Sequence, residues 1–309
     1  MVLTITLSPR VERKIVLSGF CIGEENQIID AKETVSGRGI RAGMALKELG
    51  DKVLCMGFCS AEGERIIEQA LASQEIFCDL IKIPGALRMR FTLYDRKESK
   101  VTRCTQQGTA VDSKAMEQLE VAFARNLLEM GEGDVVVLGG DTPPEMDTAV
   151  YAGLAGMAKD RKVRTVLAAH NELLEKGLLA GPYAAIASLR DLERLAGKRM
   201  NANKRICAEA QKILQKWGTK YLCIDAGERM LMVSREGAFL AQCQEQKGLA
   251  EARDGATAGL AHGVQMTAEA EQLLRYAVAG KEALCAEEAM GLEEFEAKVR
   301  QVSPVQIAG

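Results

Sequence analysis

Short apolar runs of strand length alternate with longer segments in which apolar residues recur at helical spacing, and this rhythm continues along most of the chain. Residues 2–7 alternate apolar and threonine side chains, 52–58 are apolar around one glycine, and 134–138 form a short apolar run that ends in Gly139-Gly140. Between them, 42–49, 63–72 and 113–130 carry the helical period. Strand and helix patterns continue through 164–168, 203–217 and 220–225. Strands that are apolar on both faces need cover on both faces, so the alternation predicts an α/β fold with a mostly parallel central sheet and helices on either side. A chain of 309 residues suits one such domain, 1–309, without a repeat or a low-complexity linker.

Two stretches break the rhythm. Residues 11–34 and 83–108 contain β-type runs without intervening helices, among them Arg88-Met89-Arg90-Phe91-Thr92-Leu93-Tyr94. These are expected to form strands of a flap or an oligomer surface outside the main sheet. From about residue 258 to 300 the chain is rich in Ala, Glu and Leu and is expected to be helical.

Charge and composition narrow the function. A formal net charge of -3 and a pI near 5.7 give no global reason to bind nucleic acid or an anionic membrane. The apolar stretches 135–138 and 183–187 fall far short of the ~20 residues that span a bilayer. No signal pattern opens the chain. Nine cysteines stand singly, Cys55 and Cys59 being the nearest pair, which predicts reduced thiols and a cytoplasmic location. With His170 and His262 as the two histidines and no cysteine cluster, a zinc site is not expected, and each histidine reads as packing or surface.

Local clusters therefore carry any case for an anionic ligand. Gly37-Arg38-Gly39-Ile40-Arg41 is a Gly-x-Gly turn that enters an amphipathic helix and sets Arg38 and Arg41 beside its N-terminus. Free backbone N–H groups and bidentate guanidinium donors there suit a phosphate or carboxylate, the alternative being a tight turn with solvated arginines. Arg88 and Arg90, two apart, share one face of a predicted strand and either complete a basic pocket or edge the sheet. Further on, Glu251-Ala252-Arg253-Asp254-Gly255-Ala256 leads into Gly259-Leu260-Ala261-His262-Gly263. This places Asp254 at the mouth of a small-residue helix, as a base beside a phosphate-holding N-terminus or as a plain N-cap.

Together these two glycine segments resemble the phosphofructokinase-B, or ribokinase-like, carbohydrate kinases, on the side of the 1-phosphofructokinases and tagatose-6-phosphate kinases. The family's T-L-N-P-x-x-D is similar to Thr6-Leu7-Ser8-Pro9-Arg10-Val11-Glu12, and its G-G-K-G-x-N to Ser36-Gly37-Arg38-Gly39-Ile40-Arg41. Its G-x-T-R-x-N strand matches 85–93, and its later strands 220–233. The resemblance implies a ribokinase-like three-layer αβα sandwich with a small β-sheet lid, a homodimer built through that lid, and ATP-dependent transfer of a phosphoryl group, with Mg2+, to a sugar phosphate such as fructose 1-phosphate or tagatose 6-phosphate. Glu12, Gly37, Arg38, Gly39, Arg41, Arg88 and Arg90 would then form the sugar-phosphate site.

The nucleotide side departs from the family pattern. K-P-N-x-x-E corresponds to Ile186-Ala187-Ser188-Leu189-Arg190-Asp191, leaving Asp191 as the surviving carboxylate for magnesium. S-x-G-x-x-G corresponds to Asp225-Ala226-Gly227-Glu228-Arg229. In the G-A-G-D anion hole, matching glycines by position puts Ala256 at the base, whereas matching the following helix puts Asp254 there and turns G-A-G into Glu251-Ala252-Arg253. Asp191, Asp225, Gly227, Glu251, Ala252 and Gly255 become the nucleotide-side residues, with Asp254 as base and Arg253 as a charge clamp on the transferred group. A non-glycine residue held at positive φ there would cost ~1–2 kcal/mol, and a lost oxyanion donor about 10²–10³ in rate. Phosphoryl transfer is accordingly expected to be weak or absent, leaving sugar-phosphate binding; the alternative is an active kinase that uses Asp254 and Arg253.

Overall fold

The computed structural model describes residues 1–244, 249–283 and 291–308, with side chains for all of these but 249–251 and 308. The chain opens with β1 (Val2–Thr6), leaves the main sheet for a hairpin of β2 (Arg10–Leu17) and β3 (Ile28–Ser36), and returns through α1 (Arg38–Glu48), β4 (Val53–Ser60), α2 (Ala61–Ala72) and β5 (Phe77–Ile83). A second excursion gives β6 (Met89–Asp95) and β7 (Lys100–Thr105). Then follow α3 (Ser113–Leu128), β8 (Val135–Gly139), α4 (Val150–Asp160), β9 (Arg164–Ala168), α5 (Asn171–Leu178), β10 (Ala184–Ser188), α6 (Leu189–Ala196), α7 (Asn203–Trp217) and β11 (Tyr221–Asp225). The last elements are β12 (Arg229–Val233), β13 (Ala238–Gln242), α8 (Leu249–Gln265), α9 (Ala270–Ala283), α10 (Leu292–Gln301) and β14 (Val305–Ala308).

The main sheet has the order β14-β13-β12-β11-β10-β9-β8-β1-β4-β5, parallel from β5 to β11 and antiparallel beyond. Period-two alternation divides its side chains between two cores. Leu3 and Ile5 of β1 pack with Phe123, Leu154, Leu174 and Leu214 on the face covered by α3, α4, α5 and α7. Val2 packs with Leu46, Ile67, Leu260 and Leu274 on the face covered by α1, α2, α8 and α9. This is the three-layer αβα sandwich that the resemblance implies. The two excursions meet in a second, four-stranded sheet of order β3-β2-β6-β7, in which β2 and β6 run parallel and the outer pairs antiparallel. Among the described residues, no helix is long and apolar enough to cross a membrane.

The helix after the last hairpin starts earlier than its sequence implied. Glu251, Ala252 and Arg253 are all helical residues of α8, so Asp254 lies in the second turn rather than at the mouth. Ala, Glu and Arg are good helix formers, and with no glycine to break the pattern the segment winds straight on. The positive φ expected for this stretch is not adopted by Ala252 or Arg253.

Farther along α8, Gly255, Gly259 and Gly263 are spaced four apart and share one face. That face meets α9 at backbone contact. A Cβ added to Gly259 would lie 2.1 Å from the carbonyl oxygen of Tyr276, and one added to Gly280 would lie 2.3 Å from that of Gly255. Gly259→Ala is therefore expected to destabilise the protein by about 1–3 kcal/mol through overpacking, despite the ~1 kcal/mol that alanine gains over glycine in a helix. Gly153→Ala on the open face of α4, where an added Cβ meets nothing within 4 Å, should instead raise stability. Urea denaturation reads both as opposite shifts of the midpoint at constant m.

Candidate functional site

The strand order reverses at β1, which has β4 on one side and β8 on the other. In an open parallel sheet the crevice beyond the carboxyl ends at such a point is where ligands bind. Here it holds a cleft of about 160 Å³, floored by Thr6 after β1, Gly140 and Asp141 after β8, and Gly37 and Arg38 at the start of α1. Gly37 has φ 144°, and a Cβ on it would lie 2.5 Å from Cγ2 of Thr6. The glycine is required for the chain to come back from the lid and enter α1 against β1. Thr6 closes the same junction by accepting the Ile40 N–H on Oγ1 at 2.9 Å.

Arginines gather at the cleft from two directions, Arg10, Arg38 and Arg90 on its wall and Arg41 and Arg88 off it. The lid brings Arg10 on β2 and Arg90 on β6, with Arg88 one residue ahead of that strand. The Arg88 guanidinium donates to Ser8 Oγ at 2.8 Å, and Arg90 Nε to Thr105 Oγ1 at 3.1 Å. Burial and the neighbouring Arg90 guanidinium push the Arg10 pKa down, against the pull of Asp141. The floor brings Arg38 and Arg41, whose Nε groups each lie 3.2 Å from a different oxygen of Asp254. Arg38 also donates to the Ala168 carbonyl at 2.7 Å. Asp254, 8% exposed, thus stands on the cleft wall with a guanidinium at each oxygen.

Of the other acceptor-side residues, Gly39 is buried against β1, where a Cβ would come within 2.5 Å of the Ile5 carbonyl oxygen. Glu12 is buried in the lid sheet opposite Arg90, accepts the Thr92 hydroxyl at 2.6 Å, and is not part of the cleft wall. Beside Thr6, Ser8 and Gly140, three titratable residues outside the expected site are part of it: Arg10, Asp141 and His170, the last expected only as packing or surface. Asp141 follows Gly139-Gly140 at a strand end, a signal whose meaning depends on knowing that β8 lies beside β1. His170 precedes α5 and faces both this cleft and the smaller cavity beyond it. His262 is structural: its Nδ1 lies 2.9 Å from Asp51 and its ring packs edge-on to Tyr276 and Phe295.

Beyond Arg38, on the expected nucleotide side, the described residues enclose a much smaller space. The cavity between Arg38, Asp191, Asp225 and Arg253 measures about 10 Å³, room for about one water. Asp225, at the end of β11, is held by Lys281, a residue 2% exposed that reaches in from α9. The ammonium lies 2.6 Å from Asp225 Oδ1, 2.6 Å from the Gly227 carbonyl oxygen and 3.5 Å from Cys243 Sγ. Burial opposes its charge, but the hydrogen bond and ion pair with Asp225 outweigh burial and raise its pKa. Arg253 lies 3.7 Å from the other oxygen of Asp225. Gly255 lies in the α8–α9 crossing, and the side chain of Glu251 is outside the described residues.

Asp191 caps α6. It accepts the Asn171 N–H at 3.0 Å and the Ser188 N–H at 3.2 Å, together with the Ser188 hydroxyl, in a capping box. Burial pushes its pKa up, yet these donors hold it below the ordinary value. Among the described residues no group of three His, Cys, Asp or Glu side chains could hold a metal ion. Asp191, the carboxylate expected for magnesium, is engaged in the capping box of α6, in which Ser188 is the N-cap.

No family model matches the chain. The 1-phosphofructokinase of Bacillus subtilis is 23% identical to it over 306 residues, 98% of each chain. The 1-phosphofructokinase of Haemophilus influenzae is 25% identical over 90% of this chain and 88% of that one. The tagatose-6-phosphate kinase of Staphylococcus epidermidis is 28% identical over 58% of this chain and 56% of that one. Among solved structures, phosphofructokinase-2 from Escherichia coli in complex with fructose-6-phosphate superposes with a TM-score of 0.87 at 17% identity, over 97% of this chain and 98% of that one, a likeness of fold. With sequence similarity running nearly end to end on a shared architecture, the chain is a homologue of the phosphofructokinase-B family of carbohydrate kinases, with 1-phosphofructokinases and tagatose-6-phosphate kinases among its relatives.

Proposed function

We propose that the chain binds a phosphorylated sugar in the arginine-lined cleft and transfers phosphate from ATP weakly or not at all. One observation carries this reading: the acceptor side is an open cleft of about 160 Å³, whereas among the described residues the space between Arg38, Asp191, Asp225 and Arg253 is about 10 Å³, beside an internal ion pair. An arginine-lined crevice suits a phosphate monoester, and the hydroxyl-bearing remainder of the ligand lies toward Thr6 and Ser8. A substrate hydroxyl giving its proton to Asp254 would meet a carboxylate whose oxygens each already face a guanidinium, which lowers its basicity. The lid exposes Ile28, Ile29, Tyr94 and Val101, apolar surface for self-association, and sedimentation velocity is expected to give a homodimer.

Fructose 1-phosphate or tagatose 6-phosphate should raise Tm, by the equivalent of about 2.7 kcal/mol at a hundred times Kd, while MgATP leaves it unchanged. Arg90→Ala should weaken the sugar phosphate by roughly tenfold or more, the loss of a charge-assisted hydrogen bond. An ADP-release assay separates this reading from that of an active kinase, since turnover abolished by Asp254→Asn would establish the latter.

The ion pair of Lys281 with Asp225 has its own signature. Lys281→Met leaves buried Asp225 with the more distant Arg253 as its remaining cation and should cost up to about 3 kcal/mol, most of it recovered when Asp225→Asn is added. Because the folded Lys281 pKa is raised, its contribution is fully present below the unfolded value of about 10.4 and is lost as pH rises through the folded one. The difference between wild type and Lys281→Met in urea should therefore be flat around neutrality and narrow only in strong alkali.

A further inference from the structure

At the lid end of the cleft, a carboxylate of the chain stands among the groups best suited to hold a phosphate. Asp141 Oδ2 lies 3.5 Å from the Arg10 guanidinium and 3.5 Å from that of Arg88, and Oδ1 lies 3.4 Å from His170 Nε2. These donors come from three separate places, β2, the approach to β6 and the start of α5, and converge on one small group. Yet the fit is loose. Charge-assisted hydrogen bonds settle at about 2.7–2.9 Å, and all three contacts are longer. The Nε atoms of Arg10 and Arg88 are both buried and find no hydrogen-bond partner among the described residues. Such orphaned buried donors are costly. The donors thus surround more space, and offer more hydrogen bonds, than a planar carboxylate with two oxygens uses.

A phosphate monoester has three free oxygens set tetrahedrally and up to two negative charges. It matches such a set of donors better than a carboxylate does. Asp141 follows Gly140, whose φ of 96° is available to glycine at no steric cost, so the loop can re-aim the aspartate without strain in that residue.

We infer that Asp141 is a resident placeholder for the ligand's phosphate: an incoming phosphate monoester takes over Arg10, Arg88 and His170 and displaces the Asp141 carboxylate toward solvent. This rests on the reading that the cleft takes a phosphorylated sugar, and it adds a rule of selection. A sugar carboxylate would exchange one singly charged planar group for another and gain little. A phosphate dianion brings an extra charge and a further oxygen to the donors around Asp141. The site therefore selects phosphate esters over sugar acids through competition with its own side chain.

Calorimetric titration of the full chain with inorganic phosphate, fructose 1-phosphate and gluconate tests this. Asp141→Asn should bind inorganic phosphate and fructose 1-phosphate at least tenfold more tightly than wild type and should lose part of the discrimination against gluconate. Asp141→Ser should do the same, which covers a failure of the asparagine variant to fold. If wild type takes fructose 1-phosphate and neither variant binds either phosphate more tightly, Asp141 is a strut between the arginines; the inference falls while the proposed function stands. If the variants tighten on inorganic phosphate but no form takes a sugar phosphate, the placeholder stands and the sugar reading falls. No binding of phosphate or sugar phosphate by any form removes both.

Discussion

The crossing of α8 over α9 fixes more of this molecule than any other contact. Two helices that meet glycine to backbone have little freedom to slide or rotate, because the first added methylene has nowhere to go. Held in that register, α8 presents Asp254 to Arg38 and Arg41, and Arg253 to Asp225. From the other side, α9 carries Lys281 into the same region. The small residues that look, in sequence, like the approach to a phosphate are used to bring two helices together, and the charges around the site take their places from that packing.

Those charges follow one logic on both sides of Arg38. In each place a carboxylate neutralises cations drawn from distant parts of the chain: Asp254 for the start of α1, Asp141 for the lid arginines, Asp225 for Lys281 and Arg253. The pairs differ in how deeply they are withdrawn from water. Lys281 and Asp225 are almost wholly buried and closely spaced, a geometry that is expensive to open because either ion left alone would be uncompensated. Asp141 is more than a third exposed and its contacts are long, so exchange with a ligand is comparatively easy. The same chemistry thus makes one pair a stopper and leaves the other able to yield.

Much of the fold was readable because periodicity is a local property. The strand at 164–168 and the helix at 203–217 fall where their apolar spacing put them, and the interruptions of the rhythm mark the lid. The glycine turn at Gly37 was readable as a turn into a helix, since Gly-x-Gly before an amphipathic run marks one. What escaped was set by distance or by competition between local rules. Arg10 meets Asp141 across more than a hundred residues, and neither has a neighbour in sequence that announces the other. Lys281 sits in a run of small apolar residues where a lysine reads as a solvated cation, and only the placement of β11 beside α9 shows it to be buried. The start of α8 escaped because resemblance implied a loop, while the residues there prefer a helix.

The lid leaves and rejoins the main body twice, once between β1 and α1 and once between β5 and α3. Its two hairpins are joined by the parallel pairing of β2 with β6, so Arg10 and Arg90 ride on a single sheet. Any displacement of that sheet moves two of the three arginines on the cleft wall together. Whatever grips the outer face of the lid and fixes its posture must then alter the affinity for an anion in the cleft, and the anion must alter the grip by the same factor, since binding free energies around a closed cycle sum to zero.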